Sequence, residues 1–182
     1  MSQPRVIVGL VGLKEAGKDT LYRVIKKIFP CTERIAFADA LKEELAAACD
    51  VSVEDIEREK VRYRVGLQWW GTEFRRMQDP RYWLDQVAWK IKRSQAPVIV
   101  ITDVRYVDEG HLVKSHGGIL VKVVRDMPNP RDPHSSEQYA LDMTPDLVVW
   151  NSGTSEFDLH HEAKELLSYI HTLKAKRENP SS

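Results

Sequence analysis

The sequence has no excess of charge of either sign. Lysine and arginine together number 27, and aspartate and glutamate also number 27. A protein that binds nucleic-acid polymers normally carries a basic excess, so this balance argues against polymeric DNA or RNA as a partner. Several arginines nevertheless fall in predicted loops, at Arg75, Arg76, Arg125 and Arg131. That distribution favours a small anionic ligand.

Cysteine is scarce, and long apolar runs are absent. The two cysteines, Cys31 and Cys49, form no C-x-x-C pair, so neither a zinc knuckle nor a disulfide framework is indicated. His160 and His161 are adjacent, which is not the spacing of two metal ligands on one helix face. The N-terminal apolar run, residues 5–11, is too short to cross a bilayer and lacks a signal-peptide cleavage pattern. We therefore predict a cytoplasmic protein without a membrane partner.

Short apolar runs alternate with helical patterns along the chain of 182 residues. The runs are rich in β-branched residues and almost continuous, as in strands that are buried on both faces. Five such strands separated by helices predict an α/β fold of three layers, α/β/α, whose parallel sheet binds ligands at the carboxyl ends of its strands. The predicted strands are 5–11, 34–37, 97–102, 119–124 and 146–150. The predicted helices are 18–29, 38–49, 52–64 with Ser52 and Asp55 at its cap, one that begins at Asp79-Pro80, 107–116 and 155–173.

Residues 12–18, GLKEAGK, match the phosphate-binding pattern G-x-x-x-x-G-K. In such a loop the glycines let backbone N–H groups turn toward phosphate, and the following helix adds its positive N-terminal end. Lys18 would reach the β- and γ-phosphates of a nucleotide. A glycine-containing turn without a ligand is the alternative, but the order of strand, loop, lysine and helix favours phosphate binding. The predicted ATP contacts of this segment are Gly12, Lys14, Ala16, Gly17, Lys18, Asp19 and Thr20.

Asp19 stands where the motif normally has serine or threonine, and a hydroxyl comes one residue later, at Thr20. Nucleotide kinases related to adenylate kinase tolerate a non-hydroxyl residue here and place threonine next, in a G-K-x-T arrangement. The Asp19 carboxylate would be stabilised by the helix dipole and would either contact the water shell of Mg²⁺ or cap the helix. The Asn-Lys-x-Asp motif that reads guanine is absent. These features favour a kinase over a motor ATPase or a signalling GTPase.

A second carboxylate follows the apolar strand VIVIT. Asp103 has the place of the acid in a Walker B segment. If its strand neighbours the first, it would orient Mg²⁺ through water or accept a hydrogen bond from the attacking phosphate. A strand-ending aspartate can also merely cap the next helix. Arg105 favours the functional interpretation, because an arginine at the mouth of a phosphate site can bind phosphate oxygens bidentately. Thr20 and Asp103 are the predicted metal contacts.

Residues 67–76, LQWWGTEFRR, show no surface-helix pattern, and a turn is predicted at Gly71-Thr72. The segment combines two tryptophans for stacking, a two-sided amide and two permanent cations. Together these side chains would stack a base, read its edge and bind a monophosphate. One tryptophan is predicted to be plain core, because adjacent residues rarely face the same way. The predicted acceptor contacts here and in the following helix are Gln68, Trp70, Thr72, Arg75, Arg76 and Trp83.

The segment 126–145 is rich in Pro, Asp and Ser and follows the fourth predicted strand. It could be an idle surface loop, but phosphoryl-transfer kinases carry a closing lid with arginines at this place. We therefore predict a lid, with Arg125 and Arg131 contacting the transferred phosphate. After the last strand, the turn NSGT predicts adenine contacts from Asn151, Gly153 and Thr154, with a simple capped turn as the alternative.

The order and spacing of several segments resemble those of the phage-type deoxynucleoside monophosphate kinases. These segments are GLKEAGKDT, FADALK, LQWWGTEFRR, DPRYW, ITDVRYVDEG, HSSE and the N-x-G-T turn, and together they span most of the chain. Residues 106–109, YVDE, depart from the Phe-Pro-Asn-Glu that is common in that family. The resemblance implies acceptor contacts from Asp39, Lys42, Glu109, Ser136 and Glu137, in addition to those already named.

The sequence and this resemblance predict a single P-loop kinase domain over residues 1–182, with an acceptor-binding region at about 38–94 and a lid at about 126–145. The predicted reaction is transfer of the ATP γ-phosphate to a deoxynucleoside monophosphate, with Mg²⁺. The predicted partners are small-molecule nucleotides, a homodimer is compatible with the sequence, and the location is the host cytoplasm if a phage encodes the protein. The predicted catalytic residues are Lys18, Asp103, Arg105, Arg125 and Arg131.

Two alternatives to this reading are open. Dephospho-CoA kinases and animal-type phosphomevalonate kinases share the loop and the fold. An ATP-sensing module without enzymatic activity is an alternative of another class. The supply of arginines argues against the sensor, because it suffices for two anionic ligands and a sensor needs one.

Overall fold

The computed structural model describes residues 5–125, 143–152 and 156–178. Its strands form one parallel sheet in the order β2-β3-β1-β4-β5. The predicted five-stranded parallel sheet is therefore confirmed, with the strand that leads into the phosphate loop at its centre. The strands are β1 (Val6–Val11), β2 (Thr32–Ile35), β3 (Val98–Val104), β4 (Ile119–Arg125) and β5 (Leu147–Asn151).

Helices connect the strands and account for most of the remaining described residues. In chain order they are α1 (Lys18–Ile28), α2 (Phe37–Cys49), α3 (Val53–Arg58), α4 (Lys60–Gln68), a π-helical segment (Trp69–Arg76), α5 (Tyr82–Arg93), α6 (Val107–Ser115), α7 (Glu156–Glu162) and α8 (Lys164–Glu178). No helix within the described parts of the chain is long and apolar enough to cross a membrane.

The chain divides into two compact units. The sheet unit comprises Met1–Ile35 and Arg93–Ser182, and the helical unit comprises Ala36–Lys92. The bounds of the helical unit lie close to those of the predicted acceptor-binding region, residues 38–94.

The core of the sheet unit forms on both faces of the sheet. All six residues of β1 are buried. On one face, α1, α7 and α8 contribute Leu21, Leu159 and Leu166 to a cluster with the strand residues Val8 and Val100. Each such aliphatic side chain contributes about 1.5–3 kcal/mol by leaving water. Helix α6 contacts β1 and β4, and it covers the opposite face to complete three layers.

The helical unit has a smaller core, in which Leu45, Ala46 and Ile56 are buried. The predicted cap at Ser52 is confirmed, because its hydroxyl accepts from the Asp55 N–H and the Asp55 carboxylate accepts from the Ser52 N–H. The single helix predicted over 52–64 is wrong in detail. At Glu59 the backbone leaves helical geometry (φ −103°, ψ 35°), and this separates α3 from α4.

Further boundaries differ from the predictions: β2, predicted over 34–37, lies at Thr32–Ile35, and the helix predicted over 155–173 is divided into α7 and α8. The turn predicted at Gly71-Thr72 is wrong, because these residues lie inside the π-helical segment. Helix α5 begins at Tyr82 rather than at Asp79-Pro80. The Asp79 carboxylate accepts from the Arg81 N–H at 2.9 Å, so it closes a turn that precedes the helix.

Candidate active site

The phosphate loop between β1 and α1 adopts a backbone that requires glycine at two positions. Gly12 has φ +149° and Gly17 has φ +105°. A Cβ atom at Gly12 would lie 2.4 Å from the Val123 carbonyl oxygen, and one at Gly17 would lie 2.3 Å from Asn151 Nδ2. Both glycines of the sequence motif are therefore fixed by steric contact as well as by conformation.

Three side chains bind the carbonyl groups of this loop. Lys18 Nζ donates to the carbonyls of Gly12 at 2.6 Å and Leu13 at 2.7 Å. The buried Asn151 amide donates to the Ala16 carbonyl at 2.9 Å. From β4, Arg125 makes a longer contact of 3.4 Å with the Glu15 carbonyl. Because β4 and β5 align Arg125 with Asn151, the sheet itself places two of these donors beside the loop.

Asn151→Asp tests the structural role of Asn151. A carboxylate of the same shape cannot donate to the Ala16 carbonyl, so we expect a loss of about 1–3 kcal/mol in the free energy of unfolding without nucleotide. The ATP dissociation constant should rise in parallel. Denaturant unfolding and calorimetric ATP titration measure the two effects, with Ser152→Ala at the exposed neighbouring position as the control. Wild-type stability together with weakened ATP binding would instead favour the predicted contact with adenine.

A β-bulge shapes the end of β3. Gly9 pairs with Ile101 and Val11 pairs with Val104, so Thr102 and Asp103 together stand opposite one residue of β1. An extra residue of this kind interrupts the alternation of side chains and re-aims them. Val98 and Val100 pack in the cluster that includes Leu21 of α1, so the alternation of β3 places Thr102 on the side of the sheet that α1 covers.

Thr102 is 3% exposed, and its hydroxyl has no hydrogen-bond partner. An unpaired buried hydroxyl costs about 1–3 kcal/mol, so this group is suited to a ligand that enters the site. Mg²⁺ prefers oxygen ligands and is typically bound by one or two carboxylates together with water and substrate phosphates. The oxygens of Thr102, Asp103 and Thr20 fit that chemistry, although the described residues include no cluster of three or more His, Cys, Asp or Glu side chains that could hold a metal.

Thr102→Val tests this interpretation of the unpaired hydroxyl. Without nucleotide, the variant should equal or exceed the wild type in stability, because an apolar methyl replaces an unsatisfied group. The rise in melting temperature caused by ATP with Mg²⁺ should be smaller than in the wild type. Thr32→Val is a matched control, because the buried Thr32 hydroxyl donates to the Phe29 carbonyl at 2.6 Å and its loss should destabilise the protein. Equal ligand-induced shifts in Thr102→Val and the wild type would contradict a role for Thr102.

Asp19 and Thr20 lie in the first turn of α1, where Asp19 is exposed and Thr20 is half-buried. The helix begins after Gly17 without a side-chain cap, so Asp19 does not cap it in this structure. The Thr20 hydroxyl accepts a hydrogen bond from Arg23 at 3.1 Å. The contact of Asp19 with the metal's water shell stays a prediction.

Glu109 is 2% exposed and lies in the first turn of α6. Its carboxylate accepts hydrogen bonds from the backbone N–H groups of Arg105 at 2.8 Å and Tyr106 at 3.1 Å. The residue therefore fixes the turn that carries the exposed Arg105 side chain. The departure from the common family pattern at residues 106–108 leaves this bonding intact, and direct contact of Glu109 with a nucleotide stays a prediction.

In the helical unit, two predicted acceptor contacts have structural partners. Lys42 forms an ion pair with Glu57, and the hydrogen bond from its ammonium holds the pKa of Glu57 below its ordinary value. Trp83 is 4% exposed, and its indole N–H donates to the Gly71 carbonyl at 3.0 Å. Burial thus removes Trp83 from the predicted aromatic wall and makes it a support of the π-helical segment. Asp39 lies half-buried in the first turn of α2.

The π-helical segment and its flank carry the remaining predicted acceptor contacts. Gln68, Trp70, Thr72, Arg75 and Arg76 are all half-buried. Trp69 is 51% exposed, whereas Trp70 is half-buried and packs against the core cluster of the helical unit. The prediction that one of the two tryptophans belongs to the core is therefore confirmed in part, for Trp70. π-Helices are rare and frequently occur at functional sites.

Glu44 of α2 contacts two of the predicted acceptor residues, Trp70 and Arg75, and the sequence did not reveal these contacts. Its carboxylate accepts from Trp70 Nε1 at 3.0 Å, from Arg75 Nε at 2.8 Å and from the Tyr82 hydroxyl. Burial raises the pKa of Glu44, but these hydrogen bonds and the Arg75 charge more than offset it, so the pKa lies below its ordinary value. The ionised form therefore contributes stability at neutral pH, and this contribution is lost as the pH falls through the folded-state pKa.

Comparison with known proteins places this chain in a family. The family model "Deoxynucleotide monophosphate kinase" matches residues 51–162. This chain belongs to that family. The match includes the π-helical segment, Asp103, Arg105 and Asn151, whereas the phosphate loop lies outside it and is an independent observation. No curated protein sequence matches the chain.

Solved structures share the three-layer fold of this deoxynucleotide monophosphate kinase family member. A gluconokinase from Sinorhizobium meliloti 1021 is similar with a TM-score of 0.53 and 17% identity, and 100% of each chain is covered. A sugar kinase from Janibacter sp. HTCC2649 is similar with a TM-score of 0.52 and 16% identity, covering 93% of this chain and 98% of that one. At such identities the likeness establishes the three-layer α/β/α fold and nothing finer.

Some predicted features of the kinase lie outside the described residues. They are most of the lid predicted at 126–145 and the contacts predicted for Arg131, Ser136, Glu137, Gly153 and Thr154. These remain predictions.

Proposed function

We propose that this kinase transfers the γ-phosphate of ATP to a deoxynucleoside monophosphate, giving ADP and the deoxynucleoside diphosphate. The single observation that carries the donor half is the geometry of the phosphate loop. Its two glycines are sterically fixed and its carbonyls are bound by Lys18, Asn151 and Arg125. Lys18 would exchange the Gly12 and Leu13 carbonyls for phosphate oxygens when ATP binds.

The proposed chemistry requires positioning and charge neutralisation more than proton transfer. An oxygen of the acceptor phosphate attacks the γ-phosphorus, and the bond to the oxygen bridging the β- and γ-phosphates breaks. The acceptor oxygen is already anionic at neutral pH, so no strong general base is needed. Lys18, Arg105 and Arg125, with Arg131 from the predicted lid, would neutralise charge on the transferred group.

Bound Mg²⁺ would neutralise charge on the β- and γ-phosphates during transfer. Thr20, Thr102 and Asp103 would hold it, partly through water. The buried, unpaired hydroxyl of Thr102 is the observation in this chain that supports a cation with oxygen ligands there.

The acceptor half of the proposal rests on the helical unit and on the family match, whose description names a deoxynucleotide monophosphate. Trp70 offers an aromatic surface that is half-buried, and Gln68 offers an amide close to it in sequence. Arg75 and Arg76 supply two cations for one phosphate. The set suits a base, a sugar and a single phosphate.

A coupled assay for ADP tests the proposed function. Each deoxynucleoside monophosphate, its ribo counterpart, dephospho-CoA and phosphomevalonate are offered separately with ATP and Mg²⁺. We expect ADP production that requires an added deoxynucleotide, with dTMP or dGMP as the best acceptors. Turnover of dephospho-CoA or phosphomevalonate alone would replace the proposed substrate. ATP binding without turnover of any acceptor would favour the sensor.

The same assay measures discrimination between deoxyribose and ribose. Aromatic carbon against the 2′ position would leave a ribose hydroxyl buried without a partner, at a cost of roughly 1–3 kcal/mol, or about five- to a hundredfold in kcat/KM. We expect at least one deoxynucleotide to exceed its ribo form by this margin. Equal kcat/KM values for all pairs would contradict aromatic packing at that position.

A further inference from the structure

The guanidinium of Arg75 is held on several sides within the helical unit. Glu44 accepts its Nε–H, and the guanidinium carbon lies 5.9 Å, 5.0 Å and 4.9 Å from the ring centroids of Trp70, Phe74 and Tyr82. The Glu44 carboxylate is also bonded to two of those rings, through Trp70 Nε1 and the Tyr82 hydroxyl. One carboxylate therefore orients both the arginine and part of the aromatic surface around it.

The π-helical geometry makes this arrangement possible. Trp70 and Arg75 are five residues apart, and both donate to the same Glu44 oxygen. In an α-helix, residues advance by about 100° each, so two residues five apart point about 140° away from each other. In a π-helix the backbone bonds join residues five apart and bring such side chains onto one face. The bond from the Met77 N–H to the Thr72 carbonyl is of this type.

Glu44 binds Arg75 through Nε, the guanidinium nitrogen with the fewest N–H groups to offer a phosphate. A guanidinium has five N–H donors, of which Nε carries one and the two terminal nitrogens carry four. Within the described residues, no side chain or carbonyl accepts from those terminal nitrogens, because the Arg75 bond to protein runs through Nε. A terminal fork of this kind matches the spacing of two phosphate oxygens.

We infer that Glu44 is a positioning residue for the acceptor phosphate: it fixes Arg75 so that the terminal N–H groups are presented to that phosphate. The inference rests on the proposed function, since it assigns Arg75 to the monophosphate. Its physical basis is preorganisation, because a long side chain that is already ordered loses less freedom when the ligand binds. The Glu44 charge lowers the net positive charge of the site, so the benefit lies in geometry rather than in attraction.

A purely structural role for Glu44 is the competing interpretation, because the same bonds connect α2 with the π-helical segment and α5. The two interpretations differ in what a substitution changes. A structural role predicts lower stability with similar effects on both substrates. A positioning role predicts a change confined to the monophosphate, and a change that vanishes when Arg75 is absent.

Glu44→Gln is the first test, with steady-state kinetics for both substrates. The amide keeps the size but offers one acceptor oxygen in place of two. We expect KM for the deoxynucleoside monophosphate to rise about tenfold, KM for ATP to stay within about twofold, and Glu44→Asp to fall between Glu44→Gln and the wild type. Asp55→Asn is the matched control. Asp55 also accepts several hydrogen bonds in the helical unit, but their donors, Ser52 and Arg58, lie at the two ends of α3 itself, so stability should fall without a change in either KM.

A double-mutant cycle with Arg75→Ala decides between the two interpretations. If Glu44 acts through Arg75, Glu44→Gln should have no further effect on KM for the monophosphate in the Arg75→Ala background. Additive effects would overturn the inference, as would an unchanged KM in Glu44→Gln.

If Glu44→Gln does not fold, as judged by circular dichroism, Tyr82→Phe is the substitute variant. It removes one donor to Glu44, and its effect on KM for the monophosphate is measured with and without Arg75→Ala in the same way. A wild type that turns over no monophosphate would refute the proposed function and the inference with it, whereas an active wild type with unaffected variants would refute the inference alone.

Discussion

Lys18→Ala is expected to lower kcat/KM for ATP by about 10²–10³-fold or more, with little change in fold. The expectation has two physical reasons. The lysine ammonium would carry a positive charge to the phosphate oxygens, where loss of one preorganised donor costs about 10²–10³-fold in rate. In the protein without nucleotide, the same ammonium binds two carbonyls of its own loop, and water can replace it there because the side chain is half-exposed.

Single-turnover and steady-state assays measure the loss, and circular dichroism with thermal unfolding checks the fold. Lys27→Ala is the control, because Lys27 lies exposed in the last turn of the same helix. It removes an equal charge and should retain wild-type kcat/KM. Full turnover with a normal KM for ATP in Lys18→Ala would refute the assignment of the phosphate loop.

Gly12→Ala is expected to abolish ATP binding and to destabilise the sheet unit. The added Cβ would lie 2.4 Å from the Val123 carbonyl oxygen, a backbone atom that cannot rotate away. The φ of +149° adds strain for any L side chain, and strained backbone costs about 1–3 kcal/mol per residue. Either β1 and β4 move apart or the loop leaves its conformation, and both changes displace the groups that Lys18 and Asn151 bind.

Gly66→Ala is a control in which the same chemical change should have the opposite sign. Gly66 lies within α4, and a Cβ there would meet Leu45 at 3.7 Å, an ordinary contact. We expect a gain of about 0.5–1 kcal/mol, because alanine loses less backbone freedom than glycine in a helix. Urea unfolding and ATP titration of both variants measure the contrast. Normal ATP affinity in Gly12→Ala would show that the loop tolerates a side chain at this position.

The sheet could be predicted from the sequence because its strands carry a strong local signal. β1 and β3 are runs of β-branched and aliphatic residues with nearly complete burial, and a parallel sheet covered on both faces demands such runs. The phosphate loop could also be predicted from the sequence, because its function depends on residue types at fixed spacing. The lysine and both glycines of the motif are where the pattern placed them.

The bulge at Thr102 could not be predicted, because it depends on how β3 aligns with β1. The sequence VIVITDV reads as an uninterrupted strand, and pairing alone shows that two of its residues oppose one residue of the neighbour. From the sequence, Thr102 is therefore not distinguishable from any other threonine in a β-strand. Its unpaired state becomes visible only when the surrounding atoms are known.

The π-helical segment escaped prediction for a related reason. Its residues were expected to turn at Gly71 because glycine weakens a helix. In the structure Gly71 instead permits close approach to Leu41 of α2, whose side chain would lie 3.0 Å from an added Cβ. Glu44 was overlooked because a glutamate in an alanine-rich helix normally faces solvent. Only a π-helix brings residues five apart, such as Trp70 and Arg75, onto one face, and the sequence does not reveal that geometry.

The strand order also bears on how the chain folds as it leaves the ribosome. β1 is central in the sheet, yet β3 and β4, the strands that pair with it, are made roughly ninety residues later or more. At a synthesis rate of about 5–20 residues per second, the apolar segment VIVGLV would wait on the order of 5–20 s for its first partner. The helical unit is made entirely within that interval, and its contacts are local in sequence, so it can fold first. The nascent chain would thus leave the apolar segment of β1 unpaired while the helical unit is already able to fold, and we expect a chaperone to bind at this segment.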